Sequence, residues 1–214
     1  IGTNWLIFIW AVVNGQVLAS SFGYYLNPLI NVLIGTLLLG EKLTKPQWIA
    51  AALAAAGVGF MLTEGGDGWW ISLSLALTFA LYGLVRKTAP VGSLPGLTIE
   101  TALLVVPAVV VVGWFGASPQ GTSLGASFSQ DMLIALSGLL TAIPLLMFAI
   151  AARRMDLSTL GFVQFLAPTI SFVIGLTVFG EKLTTSRTVA FALILIAVAL
   201  FCADLLRRRN QTPA

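Results

Sequence analysis

The stretch Gly40-Glu41-Lys42-Leu43-Thr44 occurs twice, returning unchanged as Gly180-Glu181-Lys182-Leu183-Thr184 at an offset of 140 residues. The same offset lays Phe22 on Phe162, Pro28 on Pro168 and Gly35 on Gly175. From Phe22 to Thr44, 11 of 23 positions match without a gap. Some identity is expected by chance in an apolar chain, but a shared five-residue polar hinge is not. The pattern reads as two copies of one structural unit.

The residues around the two hinges set the class. Apolar residues make up 58% of the chain and charged residues 9%, against about 45–50% and 25% in soluble globular domains. Eleven basic and eight acidic side chains cannot clothe the surface of a 214-residue soluble protein. Apolar runs recur at the roughly 20 residues a helix needs to cross a hydrocarbon core. The chain is therefore an all-α polytopic membrane protein. With no histidine and a single cysteine, Cys202, it cannot build a disulfide framework, a His- or paired-Cys zinc site, or a Ser-His or Cys-His dyad. Its net charge of +3 belongs to membrane-flanking loops, so nucleic acid is not an expected partner and the lipid bilayer is.

Eight spans are expected, at about 1–13, 19–39, 46–63, 69–85, 96–115, 132–152, 158–179 and 187–206. Gly40 reads as the C-cap of the second. Thr44 reads as the N-cap of the third, with Pro46 in its first turn and Gln47 closing a capping box. Residues 116–130, rich in Ser and Gly without a basic residue, read as an exposed loop. The chain opens at Ile1 inside an apolar run with no basic n-region, which reads as neither a signal peptide nor a natural start. The expected organisation is residues 1–66 as the last three helices of a truncated first copy. Residues 67–206 make a complete five-helix second copy, and 207–214 a basic tail. Projecting Trp69 back by 140 places an intact start about 70 residues upstream, room for two more helices.

Lysine and arginine placement orients the spans. Lys42, Lys45, Arg86, Lys87, Arg153, Arg154 and Arg207–Arg209 fall on one side, and Lys182 and Arg187 on the other. That puts the C-terminus and the first hinge in the cytoplasm and the second hinge outside, so the two copies run through the membrane in opposite senses. Inverted repeats of this kind are typical of secondary transporters. Trp48, Trp69, Trp70 and Trp114 fall at span ends, as an interfacial aromatic belt requires.

With these residues in hand the chain resembles the drug/metabolite transporter superfamily, EamA type, and within it the RarD (chloramphenicol-sensitivity) permeases. The resemblance rests on Asn4–Val12 (NWLIFIWAV), Gly23–Asn31 (GYYLNPLIN), Leu39–Leu43 (LGEKL), Tyr82–Lys87 (YGLVRK), Pro95–Thr101 (PGLTIET) and Ser158–Phe162 (STLGF). It implies ten helices in two inverted five-helix repeats in a bacterial inner membrane, around a central substrate cavity. The spans here would be the third to tenth of the ten. Relatives often carry a glutamate just before the Gly-Tyr segment, where this chain has Ala19, so a proton-coupling role does not carry over to that position.

Polar residues inside the spans are the candidate site. Tyr24, Asn27 and Asn31 stand at i, i+3 and i+7, one helical stripe, beside Pro28. The offset maps Tyr24 to Gln164 and Asn31 to Ser171, beside Pro168. Each proline removes a donor and frees the carbonyl four residues earlier, which is tolerated where water, side chains or substrate meet it. These residues are expected to line the substrate pathway, against the plainer alternative of interhelical hydrogen bonds worth about 0.6 kcal/mol each. Ser74, Thr78 and Tyr82 form a second stripe whose hydroxyls can bond back to their own helix. Tyr82 is divided between pathway and packing. Glu100, the one carboxylate well inside a span, is a candidate for coupling or gating, the alternative being a pair with Arg86, Lys87 or Arg153. Glu41 and Glu181 read as the polar face of helix–helix turns. The small-residue run Ala50–Gly59 reads as internal packing or a homodimer seam.

The reading is secondary transport of a small organic molecule by alternating access, in the direction of export as the resemblance suggests. No Walker sequence binds ATP, and no cofactor or metal is expected. The rivals are a non-transporting accessory subunit and, with one deep carboxylate and no histidine, an intramembrane enzyme.

Overall fold

In a computed structural model the described residues are 1–62, 69–118, 121, 124–125, 127–167, 169–170 and 185–211, with side chains described except at 17–18, 61–62, 187 and 209–211. The second hinge, Gly180–Thr184, lies outside them, as do Pro168 and Ser171. Eight helices occur among the described residues: α1 (Gly2–Val13), α2 (Val17–Leu37), α3 (Lys45–Leu62), α4 (Trp69–Thr88), α5 (Ser93–Ala117), α6 (Phe128–Arg154), α7 (Leu157–Gln164) and α8 (Thr185–Gln211). Four are long and apolar enough to span a membrane: α4, α5, α6 and, within α8, Thr188–Arg208.

The hinge forms as its residues require. Gly40 has φ +68°, a left-handed conformation open to glycine at no steric cost. It turns the chain so that the Glu41 N–H returns to the Gly35 carbonyl at 2.9 Å. Three residues on, the capping box closes: Gln47 N–H donates to Thr44 Oγ1 at 3.2 Å, and Thr44 N–H to Gln47 Oε1 at 3.0 Å. Two orphan donors at the start of α3 are thereby satisfied.

The described residues form two compact units, Ile1–Leu84 with Met155–Ala214, and Val85–Arg154. The first unit cuts across the two sequence copies, because it is made by packing one copy on the other. Residues 45–62 and 185–202 are related by the offset of 140, and they meet as α3 and α8. Thr44, at the start of α3, donates to Asp204, near the end of α8, at 2.9 Å. Farther along α3, a Cβ on Gly57 would stand 2.9 Å from the Ala190 carbonyl. The pair is antiparallel. So is the second related pair, α2 with α7: Gly161 faces the Pro28 carbonyl, whereas Gly35 faces Ser158. Equivalent helices lying head to tail are the direct structural signature of an inverted repeat.

The core of this unit lies between those four helices. Ala50, Ala54, Ala190 and Ala197 are fully buried, small enough to let α3 and α8 approach closely. Phe162 stacks on Phe201 at a centroid separation of 3.8 Å, and Tyr25 meets Phe191 edge-on at 5.8 Å. On the other side of α2, Ser72 Oγ of α4 donates to the Ala19 carbonyl at 2.6 Å, and Trp10 of α1 lies against Trp70 at 5.6 Å.

The second unit is organised by two arginines. Arg153 Nη1 donates to the carbonyls of Ala89 and Val91, each at 2.7 Å, so it caps the turn between α4 and α5. Arg86, 9% exposed, reaches Glu100 at 3.8 Å and the Ser93 carbonyl at 3.4 Å. The α5 residues Val105, Val106 and Val109–Val112 all face outward, the arrangement of a helix whose solvent is hydrocarbon.

Candidate functional site

Four helices of the first unit enclose a cleft of about 200 Å³. Its longest wall is one stripe of α2, Ser20, Gly23, Tyr24 and Asn27, at helical spacing. Leu75 and Phe79 of α4, Asn4 of α1, and Gln164 and Ala167 at and beyond the end of α7 complete it. Asn4 is held in place by α4, its amide donating to the Leu75 carbonyl and to Thr78 Oγ1, both at 2.8 Å. Thr78 in turn donates back to the Ser74 carbonyl at 2.7 Å, the local bond that its spacing suggests. Gly23 admits α4: a Cβ there would lie 3.2 Å from the Ser72 carbonyl.

At the floor of the cleft two lining amides from the two copies, Asn27 and Gln164, meet, with Asn31 behind them. Gln164 Oε1 accepts from Asn27 Nδ2 at 2.8 Å and from Asn31 Nδ2 at 2.7 Å. Both donors are on α2 and the acceptor is on α7, so the contact joins the middle of α2 to the C-terminal end of its offset-related partner. Asn27 and Asn31 are 6% and 0% exposed. Among the described residues their Oδ1 atoms are buried with no hydrogen-bond partner, a state that costs about 1–3 kcal/mol per group when nothing offsets it. No charged side chain lines the cleft among the described residues.

The expected site residues separate as follows. Tyr24, Asn27 and Gln164 line the cleft, and Asn31 joins them through Gln164 without lining it. Pro28 sits inside α2, and its carbonyl is the point of closest approach for Gly161. Tyr82 is packed away at 7% exposure, its ring tilted against Phe79, so it backs the wall instead of facing the cleft. Glu100 lies in the other unit, in its ion pair with Arg86.

Ser20 and Asn4 were not singled out from the sequence, although Ser20 lies on the stripe four residues before Tyr24. Also unforeseen is the destination of Glu41. Its carboxylate accepts from Leu157 N–H at 2.6 Å, Ser158 N–H at 2.9 Å and Ser158 Oγ–H at 2.7 Å. The N-cap residue of α7, Asp156, makes no side-chain capping bond. The first donors of a helix in one copy are therefore satisfied by the hinge of the other, and the anion also meets the positive end of the helix dipole.

Residues 1–63 match the model of the EamA-like transporter family. An uncharacterized transporter of Pseudomonas aeruginosa is 45% identical over 213 residues, covering 100% of this chain and 72% of its own length. The protein RarD of Escherichia coli K12 is 42% identical over 214 residues, covering 99% of this chain and 72% of its own. A crystal structure of a protein 21% identical in sequence superposes with a TM-score of 0.67, over 97% of this chain and 73% of that one. At that identity the likeness is one of fold.

Proposed function

We propose, on the premise that the chain belongs to the RarD branch of the EamA-like transporters, that it moves a small organic molecule out across a bacterial inner membrane by alternating access. That it is a multi-pass membrane transporter is common ground with its relatives. Direction, mechanism and substrate class are the proposal. The observation that carries it is the Asn27–Gln164–Asn31 contact, where offset-related helices of opposite sense meet at the floor of a cleft. Substrate bound there touches both copies at once, as a site at the interface of inverted repeats must if rocking one copy is to change its exposure.

The lining limits what binds. A charge buried without a partner costs several kcal/mol, and the lining residues offer amides, hydroxyls, Phe79 and Leu75 but no countercharge. The part of the substrate that enters is therefore uncharged, with an apolar face and at least one hydrogen-bonding group. Orientation is supported by the end of the unit at which Thr44 meets Asp204 and Arg208 pairs with Asp204 at 3.5 Å. Lys42, Lys45, Arg207 and Arg208 are grouped there, and a basic end is a cytoplasmic end.

The test is efflux from cells and uptake into inverted vesicles for a panel of uncharged and charged solutes, comparing the protein with Gln164→Leu. Accumulation of an uncharged solute in inverted vesicles that Gln164→Leu abolishes at equal abundance is the expected result. An accessory subunit without transport of its own would move none of them.

A further inference from the structure

Along α2 the surroundings change in a fixed order. Ser20, Tyr24 and Asn27 face the cleft. Asn27 and Asn31 then meet Gln164. There α7 closes on α2, with Gly161 so near that an added Cβ would lie 2.7 Å from the Pro28 carbonyl and 3.0 Å from Asn31 Cβ, and beyond them Gly35 has no room for a Cβ beside Glu41 and Ser158. Last comes Glu41, bound to Leu157 and Ser158. The cleft thus occupies one end of the α2–α7 pair and a seal the other.

We propose that the Glu41 carboxylate is the latch of that seal: its bonds to the start of α7 hold the cytoplasmic gate shut while the cleft faces outward. This rests on the alternating-access reading above. A cap made within one helix would survive any rearrangement. This cap spans the two copies, so rocking one against the other has to break it. Glu41 is not a lone surface acceptor: Ser158, which supplies two of its bonds, is 2% exposed. The same opening would give water access to the orphaned Oδ1 atoms of Asn27 and Asn31. The sealed form therefore pairs a favourable term at the latch with an unfavourable one at the floor, which keeps the two states close in free energy. Glu41 is a positioning residue and touches no substrate.

The test reads sidedness, which a merely structural cap would not alter. The exposed native thiol is removed by Cys202→Ser, and a reporter is placed at buried Leu160 by Leu160→Cys. A membrane-impermeant maleimide is then applied to intact cells and to inverted vesicles. Glu41→Ala removes three charge-assisted hydrogen bonds. It is expected to raise labelling from the cytoplasmic face at least about tenfold, the shift that loss of even one such bond produces, with labelling from outside unchanged or lower. Ser158→Ala, which removes one bond and leaves the two backbone donors, is expected to do the same to a smaller extent and serves if Glu41→Ala fails to accumulate. Equal labelling gains from both faces, or none from the cytoplasmic face, overturns the latch. Solute flux through the parent protein separates the two ideas: intact flux with unchanged labelling refutes the latch alone, whereas sided labelling without flux refutes the transport reading alone.

Discussion

Asn27 and Gln164 meet at 2.8 Å across the boundary between two copies of one sequence unit. Gln164 Oε1 also serves Asn31, so a single acceptor holds two buried donors. Gln164→Leu leaves both unpaired, at about 1–3 kcal/mol for each one that water cannot reach. Expected are transport at background and a lower melting temperature in detergent. Asn31→Leu, which removes an orphaned oxygen along with its donor, should cost less stability yet still impair transport. Flux normalised to membrane abundance, measured beside thermal melts, checks both.

Gly161 is expected to be intolerant of any side chain. An alanine Cβ there would lie 2.7 Å from the Pro28 carbonyl and 3.0 Å from Asn31 Cβ. Backbone must move to admit it, at about 1–3 kcal/mol by analogy with overpacked cores. Gly138 in α6 has nothing within 4 Å of its added Cβ. Gly138→Ala should therefore stabilise the helix by up to about 1 kcal/mol. Thermal melts of the two variants should move in opposite directions.

Glu100 is predicted to keep Arg86 in place and not to carry protons. Glu100→Gln should transport with the pH dependence of the parent protein. Arg86→Ala should lose more stability, since Arg86 also donates to the Ser93 carbonyl and its removal leaves a partly buried carboxylate without this partner. A flux–pH profile altered by Glu100→Gln would return Glu100 to the coupling machinery.

Gly40 gives a test of the hinge itself. Its left-handed backbone costs a residue with a Cβ about 1–2 kcal/mol, so Gly40→Ala should lower the melting temperature and displace Glu41. If presenting Glu41 is the main consequence of that turn, Gly40→Ala combined with Glu41→Ala should destabilise by less than the sum of the single effects.

What the sequence discloses is what is local or repeated. Gly40, Thr44 and Gln47 act within a few residues of themselves, and their roles could be read directly. The stripe of Tyr24, Asn27 and Asn31 was visible because helical spacing is short, and Gln164 because the offset maps Tyr24 onto it. Non-local partners were hidden. Glu41 in a turn looks like any solvated hinge carboxylate, and nothing in the spacing points to Ser158, 117 residues away. Asn4 follows Thr3 at the start of a short apolar helix, and only the approach of α4 makes it part of a wall. Tyr82 carried the right chemistry on an apparent stripe, but which way its ring packs depends on the neighbouring side chains, and it lies against Phe79.

The head-to-tail packing of α3 with α8 and of α2 with α7 has a consequence for anyone reading mutational data on this protein. A complete substitution scan should contain its own echo, with tolerance at any position resembling tolerance 140 places later. Where the echo fails, as it should at Ser158, whose counterpart is Leu18, the two faces of the bilayer are being treated unequally. Those mismatches are where a directional preference would be encoded.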